Sequence, residues 1–167
     1  MDVVGTLNRR SDGRSAFPTK VLVLAADETR TNGTYSLIQD ANGDWSIPVT
    51  AGKTYHIKML GLWQTTNTTA GAAWKIVYGG GAAGTLVGAL IADSSTTGNP
   101  DQVVLTGDGS TAGYSGAAVT NTSTLVSMEM VFKCTAGGTV SIHMAANVST
   151  SGTAKTMAGS ALMWTEF

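Results

Sequence analysis

The sequence predicts an all-β fold, an antiparallel β-sandwich of the jelly-roll type preceded by an extended N-terminal arm. Ten short runs rich in β-branched and aromatic residues are separated by Gly, Asn, Thr and Ser, which are strand and turn signals. The longest runs alternate apolar with polar residues, and the spacing of an amphipathic helix is not sustained anywhere. Because no helix separates the runs, neighbouring strands are expected to pair antiparallel in two packed sheets.

The first predicted element is the arm, residues 1–20. It holds four of the ten basic residues of the chain and several apolar residues that have no evident local core. We expect it to become ordered only against a partner, although a frayed terminus would have the same composition. The candidate partner-binding residues are Val3, Val4, Leu7, Arg9, Arg10, Arg14 and Phe17.

The strand candidates follow within a single predicted domain, residues 21–167. In order, they span 21–24, 35–38, 45–49, 54–63, 73–78, 85–92, 101–106, 124–134, 138–146 and 160–167. Asn42-Gly43 predicts a hairpin with a type I′ turn, because both positions tolerate positive φ. Gly137-Gly138 predicts a second turn between the strands at 124–134 and 138–146.

Alternation also predicts which side chains form the core. It is clearest at 126–134, where Val126 and every second residue after it is apolar or Cys, whereas Ser127, Glu129 and Lys133 face the other way. The predicted core is Trp45, Tyr55, Ile57, Met59, Trp74, Ile76, Val126, Met128, Met130, Phe132, Val140, Ile142 and Trp164.

Composition argues against nucleic acid and membranes as partners. Hydrophobic residues make up 43% of the 167 residues, enough for a core, and charged residues only 13%, about half the usual share. A net charge of −1 provides no field that would hold nucleic acid or an anionic membrane, so neither partner is expected. No apolar run approaches the roughly 20 residues of a membrane span, and residues 1–14 lack the apolar core of a signal peptide. We therefore expect synthesis in a cytoplasm.

Two motifs imitate ligand sites. Residues 79–84 satisfy the dinucleotide pattern G-x-G-x-x-G, but no helix is predicted after them to receive a pyrophosphate. Asp40, Asn42 and Asp44 have calcium-loop spacing, yet Trp45 stands where that loop needs Gly and Ala51 where it needs Glu. A loop and a hairpin turn are the favoured interpretations, and no cofactor or metal is predicted.

The sequence also predicts no enzyme and no catalytic residue. Glycan hydrolysis needs two positioned carboxylates, and only Glu129 lies clearly within a predicted strand. A serine or cysteine hydrolase would need His56 or His143 beside a nucleophile, and there is no G-x-S-x-G elbow. Both histidines are predicted on polar strand faces, His143 beside Thr139 and Ser141.

The order of several segments resembles a β-sandwich domain of tailed-phage virion proteins, which occurs in capsid-associated, tail and fibre polypeptides. The matching segments are "VLVLAADETRTNGTY", "IPVTAGKTYHIKMLGLW", "WKIVYGGGAAGTLVG", "MEMVFKCTAGGTVSIHMAANVS" and "TMAGSALMWTEF". The resemblance covers about residues 21–167. It departs at Ala82-Ala83, where such domains often have Pro-Ala.

This resemblance implies a structural or adhesive role in a virion, in a homotrimer or larger assembly, with no catalytic residues to transfer. We expect a decoration protein that holds the major capsid protein, or a tail protein, through its arm. The alternative is a tail or fibre adhesin that binds host glycan. Its candidate glycan-facing residues are Trp63 and Asn67, because the polar segments 64–72 and 92–100 are predicted loops tipped by Trp63 and Trp74. In a sandwich the favoured interpretation of both tryptophans is a place in the core.

Overall fold

The computed structural model describes residues 18–66, 70–93, 100–114, 122–148 and 152–167. Within these ranges every regular element is a β-strand, every strand pair is antiparallel, and no helix could cross a membrane. The strands are β1 (Thr19–Val23), β2 (Glu28–Arg30), β3 (Ser36–Leu37), β4 (Gln39–Asp40), β5 (Gly43–Asp44), β6 (Ser46–Val49), β7 (Thr54–Thr65), β8 (Ala70–Gly79), β9 (Ala83–Asp93), β10 (Pro100–Leu105), β11 (Thr111–Tyr114), β12 (Thr124–Ala136), β13 (Gly138–Val148), β14 (Ala154–Thr156) and β15 (Ala161–Glu166). The predicted all-β class is confirmed.

Two sheets pack against each other around one core. The large sheet has the order β1-β15-β7-β12-β9-β10, and β14 and β2 extend it where β15 and β1 end. The small sheet has the order β11-β8-β13, with β3 and β6 both paired to the far side of β13. The antiparallel β-sandwich predicted from the sequence is therefore the observed architecture.

The strand pairing is nested. β3 and β6 are separated only by the β4–β5 hairpin and act as one interrupted strand beside β13. In sequence order, the pair of β7 and β12 lies inside the pair that this interrupted strand forms with β13. The pair of β8 and β11 lies inside that one, and the pair of β9 and β10 is the innermost. Folding one long antiparallel hairpin over itself gives this order of pairs.

The core lies between the sheets and contains all thirteen predicted core residues. Twelve of them are at most 1% exposed and Trp164 is 8% exposed. At one end of the core, Trp63 of the large sheet meets Trp74 of the small sheet edge to face, with ring centroids 5.9 Å apart. Burial of apolar side chains from both sheets is the main stabilising contribution, since each contributes about 1.5–3 kcal/mol.

Two local details differ from the sequence prediction. The β4–β5 hairpin forms, but Asp40 pairs with Gly43, so Ala41 and Asn42 occupy the turn instead of Asn42 and Gly43. In this position the Asn42 side chain donates a 2.9 Å hydrogen bond to the Val23 carbonyl. In addition, β1 begins at Thr19, so the last two residues of the predicted arm belong to the sandwich.

Candidate interaction surface on the large sheet

The large sheet has one side in the core and one side toward solvent. On β7, burial alternates along the strand: Tyr55, Ile57 and Met59 are buried, whereas the residues between them reach the surface. Residues opposite each other on neighbouring strands point to the same side of an antiparallel sheet. We call the solvent side the outer face; it extends from Val21 on β1 to Val104 on β10.

Exposed hydrophobic side chains are concentrated on the outer face. Among the described residues, nine large hydrophobic side chains are 40–64% exposed. The strand register and the Thr54–Phe167 backbone pair place all nine on this face. They are Val23, Leu60, Leu62, Val87, Ile91, Val104, Leu125, Val131 and Phe167.

The outer face is wide and long enough to contact another protein domain. Six strands at about 4.8 Å spacing give a width of about 24 Å, and the distance from Thr54 to Leu62 along β7 is about 27 Å. The projected area of the whole face, polar residues included, is therefore roughly 600 Å². Exposed hydrophobic side chains gathered on one face mark a site of contact with another molecule.

The centre of the outer face carries a small charged cluster. Lys58 on β7 and Glu129 on β12 are directly opposite each other on the two middle strands. One Glu129 oxygen lies 2.7 Å from His56 Nε2 and the other 3.5 Å from Lys58 Nζ. The hydrogen bond from His56, followed by the charge of Lys58, holds the pKa of the Glu129 carboxyl below its ordinary value. The carboxyl is therefore ionised near neutral pH, whereas a glycosidase general acid needs a raised pKa.

The two histidines lie on opposite sides of the molecule. His56 is on the outer face of the large sheet, and His143 is on the solvent side of the small sheet, opposite Lys75 of β8. Burial first, then the charges of Lys75 and Arg30, lower the pKa of His143 and favour the neutral imidazole. As predicted, His143 shares its side of β13 with Ser141, whose hydroxyl is 3.0 Å from that of Ser46. The structure does not bring the two histidines into one site.

The motifs that imitate ligand sites have structural roles. The glycine run lies between β8 and β9, with positive φ at Gly80 and Gly81, and the element that follows is a strand. In the hairpin, Asp44 accepts a 2.7 Å hydrogen bond from the Gln39 amide. Among the described residues, no group of three His, Cys, Asp or Glu could hold a metal ion. The glycine run is a loop between two strands, and the residues from Asp40 to Asp44 form a hairpin.

Trp63 does not have the position that a glycan-facing residue needs. It is fully buried, because β7 continues to Thr65 and the alternation that turns Tyr55 and Ile57 inward also turns Trp63 inward. Its ring packs on Trp74 and cannot stack on a sugar at the surface. The glycan-facing role predicted for Trp63 therefore does not fit the structure.

The remaining predicted site residues lie outside the described residues. Asn67 is in the connection between β7 and β8, and the candidate arm residues precede Pro18. These arm residues are Val3, Val4, Leu7, Arg9, Arg10, Arg14 and Phe17.

Comparison with known proteins gives little similarity. No protein-family model and no curated protein matches the chain. Two solved structures that it resembles weakly are those of the infectious bursal disease virus Gt strain, at 8% identity and a TM-score of 0.21, and the Gx strain, at 12% and 0.18. Each comparison covers 99% of this chain but only 42% of the viral chain. Similarity of this extent identifies neither a fold family nor a function.

Proposed function

We propose that this chain is a non-enzymatic structural protein of a tailed-phage virion, which decorates the capsid and is attached through its N-terminal arm. The observation that carries the structural role is the outer face, where all the exposed large hydrophobic side chains of the described residues are gathered. A surface of this kind binds another protein through a broad apolar contact. The assignment to a phage virion comes from the sequence resemblance.

The low charge of the chain supports a role in assembly. Charged residues make up 13% of the sequence, and the central carboxylate of the outer face, Glu129, is paired with Lys58 and hydrogen-bonded to His56. Wide contact between subunits is favourable when few unpaired charges must leave water. The surface of this sandwich therefore suits extensive subunit contact.

The position of the first strand supports attachment through the arm. β1 is the edge strand of the large sheet, paired to β15 from Thr19 onward. Pro18 lies beside Lys53, Trp164 and Phe167, so the arm connects to the sandwich at the edge of the large sheet. An extended segment that starts at an edge can reach a neighbouring protein without disturbing the core.

A tail or fibre adhesin is the second candidate, and one observation favours it. The connections after β7, β9, β11 and β13 all join strands at the end of the sandwich that contains Trp63, as the register of these strands shows. The sequence of these connections is rich in Ser, Thr, Asn and Gly, which offer hydroxyl and amide groups to a sugar. The aromatic platform expected for this role is missing at Trp63, which is buried.

Deleting residues 2–17 tests the proposal. We expect the truncated protein to keep its thermal midpoint, because Pro18 and the whole described sandwich remain, and to lose binding to phage particles that lack this protein. Binding is measured by co-sedimentation of added protein with such particles. A variant with Arg9, Arg10 and Arg14 all replaced by Ala keeps the apolar arm residues and separates their contribution from that of the charges.

Undiminished co-sedimentation of the truncated protein would contradict attachment through the arm. Hydrolysis of a host surface polysaccharide by the purified protein, lost in Glu129→Gln, would contradict the non-enzymatic role.

A further inference from the structure

We propose that the outer face of the large sheet is a self-association surface. A second copy of this chain packs on it with the same face, about a two-fold axis that runs along the strands between β7 and β12. This inference concerns a different contact from the arm and does not depend on the virion location.

The shape of the surface favours a second sheet as its occupant. The face is about 24 Å wide, whereas one extended segment such as the arm covers about one strand spacing, about 5 Å. A second sheet packs face to face over the whole width at a separation of about 10 Å. A projected area of roughly 600 Å² per copy, increased by side-chain relief, approaches the roughly 800 Å² per partner of a standard interface.

The central charges select the direction of the axis. Lys58 and Glu129 are on the two middle strands, with β15 and β1 on one side and β9 and β10 on the other. An axis along the strands lays β7 of each copy over β12 of the other, so Lys58 meets Glu129 of the second copy, twice. An axis across the strands would instead lay Lys58 over its own counterpart, and burying like charges together is unfavourable. The central pair of Lys58 and Glu129 is thus self-complementary in one arrangement, as an isologous contact requires.

At three facing positions, the same arrangement also sets a large side chain against a small one. Paired residues form rows that cross the sheet, and the axis passes through the middle of each row. A residue on one side of the axis therefore faces, in the second copy, the residue at the same distance on the other side. Three large-on-small contacts between copies follow: Met163 on Ala89, Ile91 on Ala161 and Leu60 on Ser127. Alternation of large and small residues across facing positions lets two surfaces interdigitate without voids.

Analytical ultracentrifugation of the full chain over a range of concentrations tests this proposal. We expect a dimer, or a higher even number of copies, and at least about a tenfold weaker association in Leu60→Lys, which buries an unpaired cation. Leu60 is 44% exposed, so its replacement should leave the fold intact, as checked by the thermal midpoint at low concentration. Thr111→Lys, at an exposed position on β11 of the small sheet, adds the same charge elsewhere and is the matched control.

A charge exchange tests the symmetry. Lys58→Glu alone should weaken association, and the double variant Lys58→Glu, Glu129→Lys should restore much of it, because each cation again faces an anion of the other copy. A chain that stays monomeric, a plain trimer, or a dimer unaffected by Leu60→Lys would overturn the proposal. Loss of the dimer on deleting residues 2–17 would also overturn the proposal, because association would then require the arm.

Discussion

Replacing Trp63 by Ala is expected to lower the free energy of unfolding by about 3–5 kcal/mol. Trp63 is fully buried and its edge-to-face contact with Trp74 joins the two sheets at one end of the core. Removal of the indole leaves a cavity that the surrounding strands cannot fill, and it also removes an aromatic pair that contributes about 0.5–1.5 kcal/mol. For a domain of this size the midpoint should fall by about 6–20 °C.

Denaturant unfolding and calorimetry measure the change, and Trp63→Phe is the matched variant. Phe keeps most of the apolar volume, so it should lose a smaller part of the stability. If Trp63→Ala loses less than about 1 kcal/mol, Trp63 is at the surface and the glycan-facing role becomes tenable again.

Replacing Gly88 by Val is expected to destabilise the large sheet by about 3 kcal/mol, at the upper end of the range for overpacking. Gly88 on β9 lies opposite Met130 of β12, where the two strands approach closely. A Cβ at this position would be 2.5 Å from the Glu129 carbonyl oxygen and 2.7 Å from Met130 Cα. Because these are backbone atoms, the two strands would have to move apart and their ladder would weaken.

Gly107→Val is the matched control, since no atom outside Gly107 and its two chain neighbours lies within 4 Å of the Cβ it would add. We expect this control to change the free energy of unfolding by less than about 1 kcal/mol. Equal losses in the two variants would show that conformational freedom of glycine, and not the close approach of β9 to β12, determines the effect.

The core could be predicted because alternation is a local property. Val126, Met128 and Met130 face inward on β12 as their spacing indicates, and the same parity read from Tyr55 would have placed Trp63 in the core. The short strands β2, β11 and β14 were not predicted. Their sequences, ETR, TAGY and AKT, carry few strand signals. β11 and β14 are defined by pairing with the long strands β8 and β7, and β2 by pairing with β14.

The outer face could not be predicted, for two physical reasons. The run at 85–92 is apolar at nearly every position, and such a run does not show whether its second side is buried or exposed. The pairing of Glu129 with Lys58 and His56 depends on the register of β7 against β12, 71 residues apart at the Lys58–Glu129 pair. Register between distant strands is set by the packed sheet as a whole.

The proposed place of this protein in a virion is tested most directly by its copy number in purified phage particles. Quantitative mass spectrometry would compare this polypeptide with the major capsid protein of the same particles. Decoration of a symmetric shell predicts at least roughly one copy per ten capsid subunits. A ratio well below that would reject decoration in favour of a tail or fibre adhesin, and absence from the particles would contradict a virion role altogether.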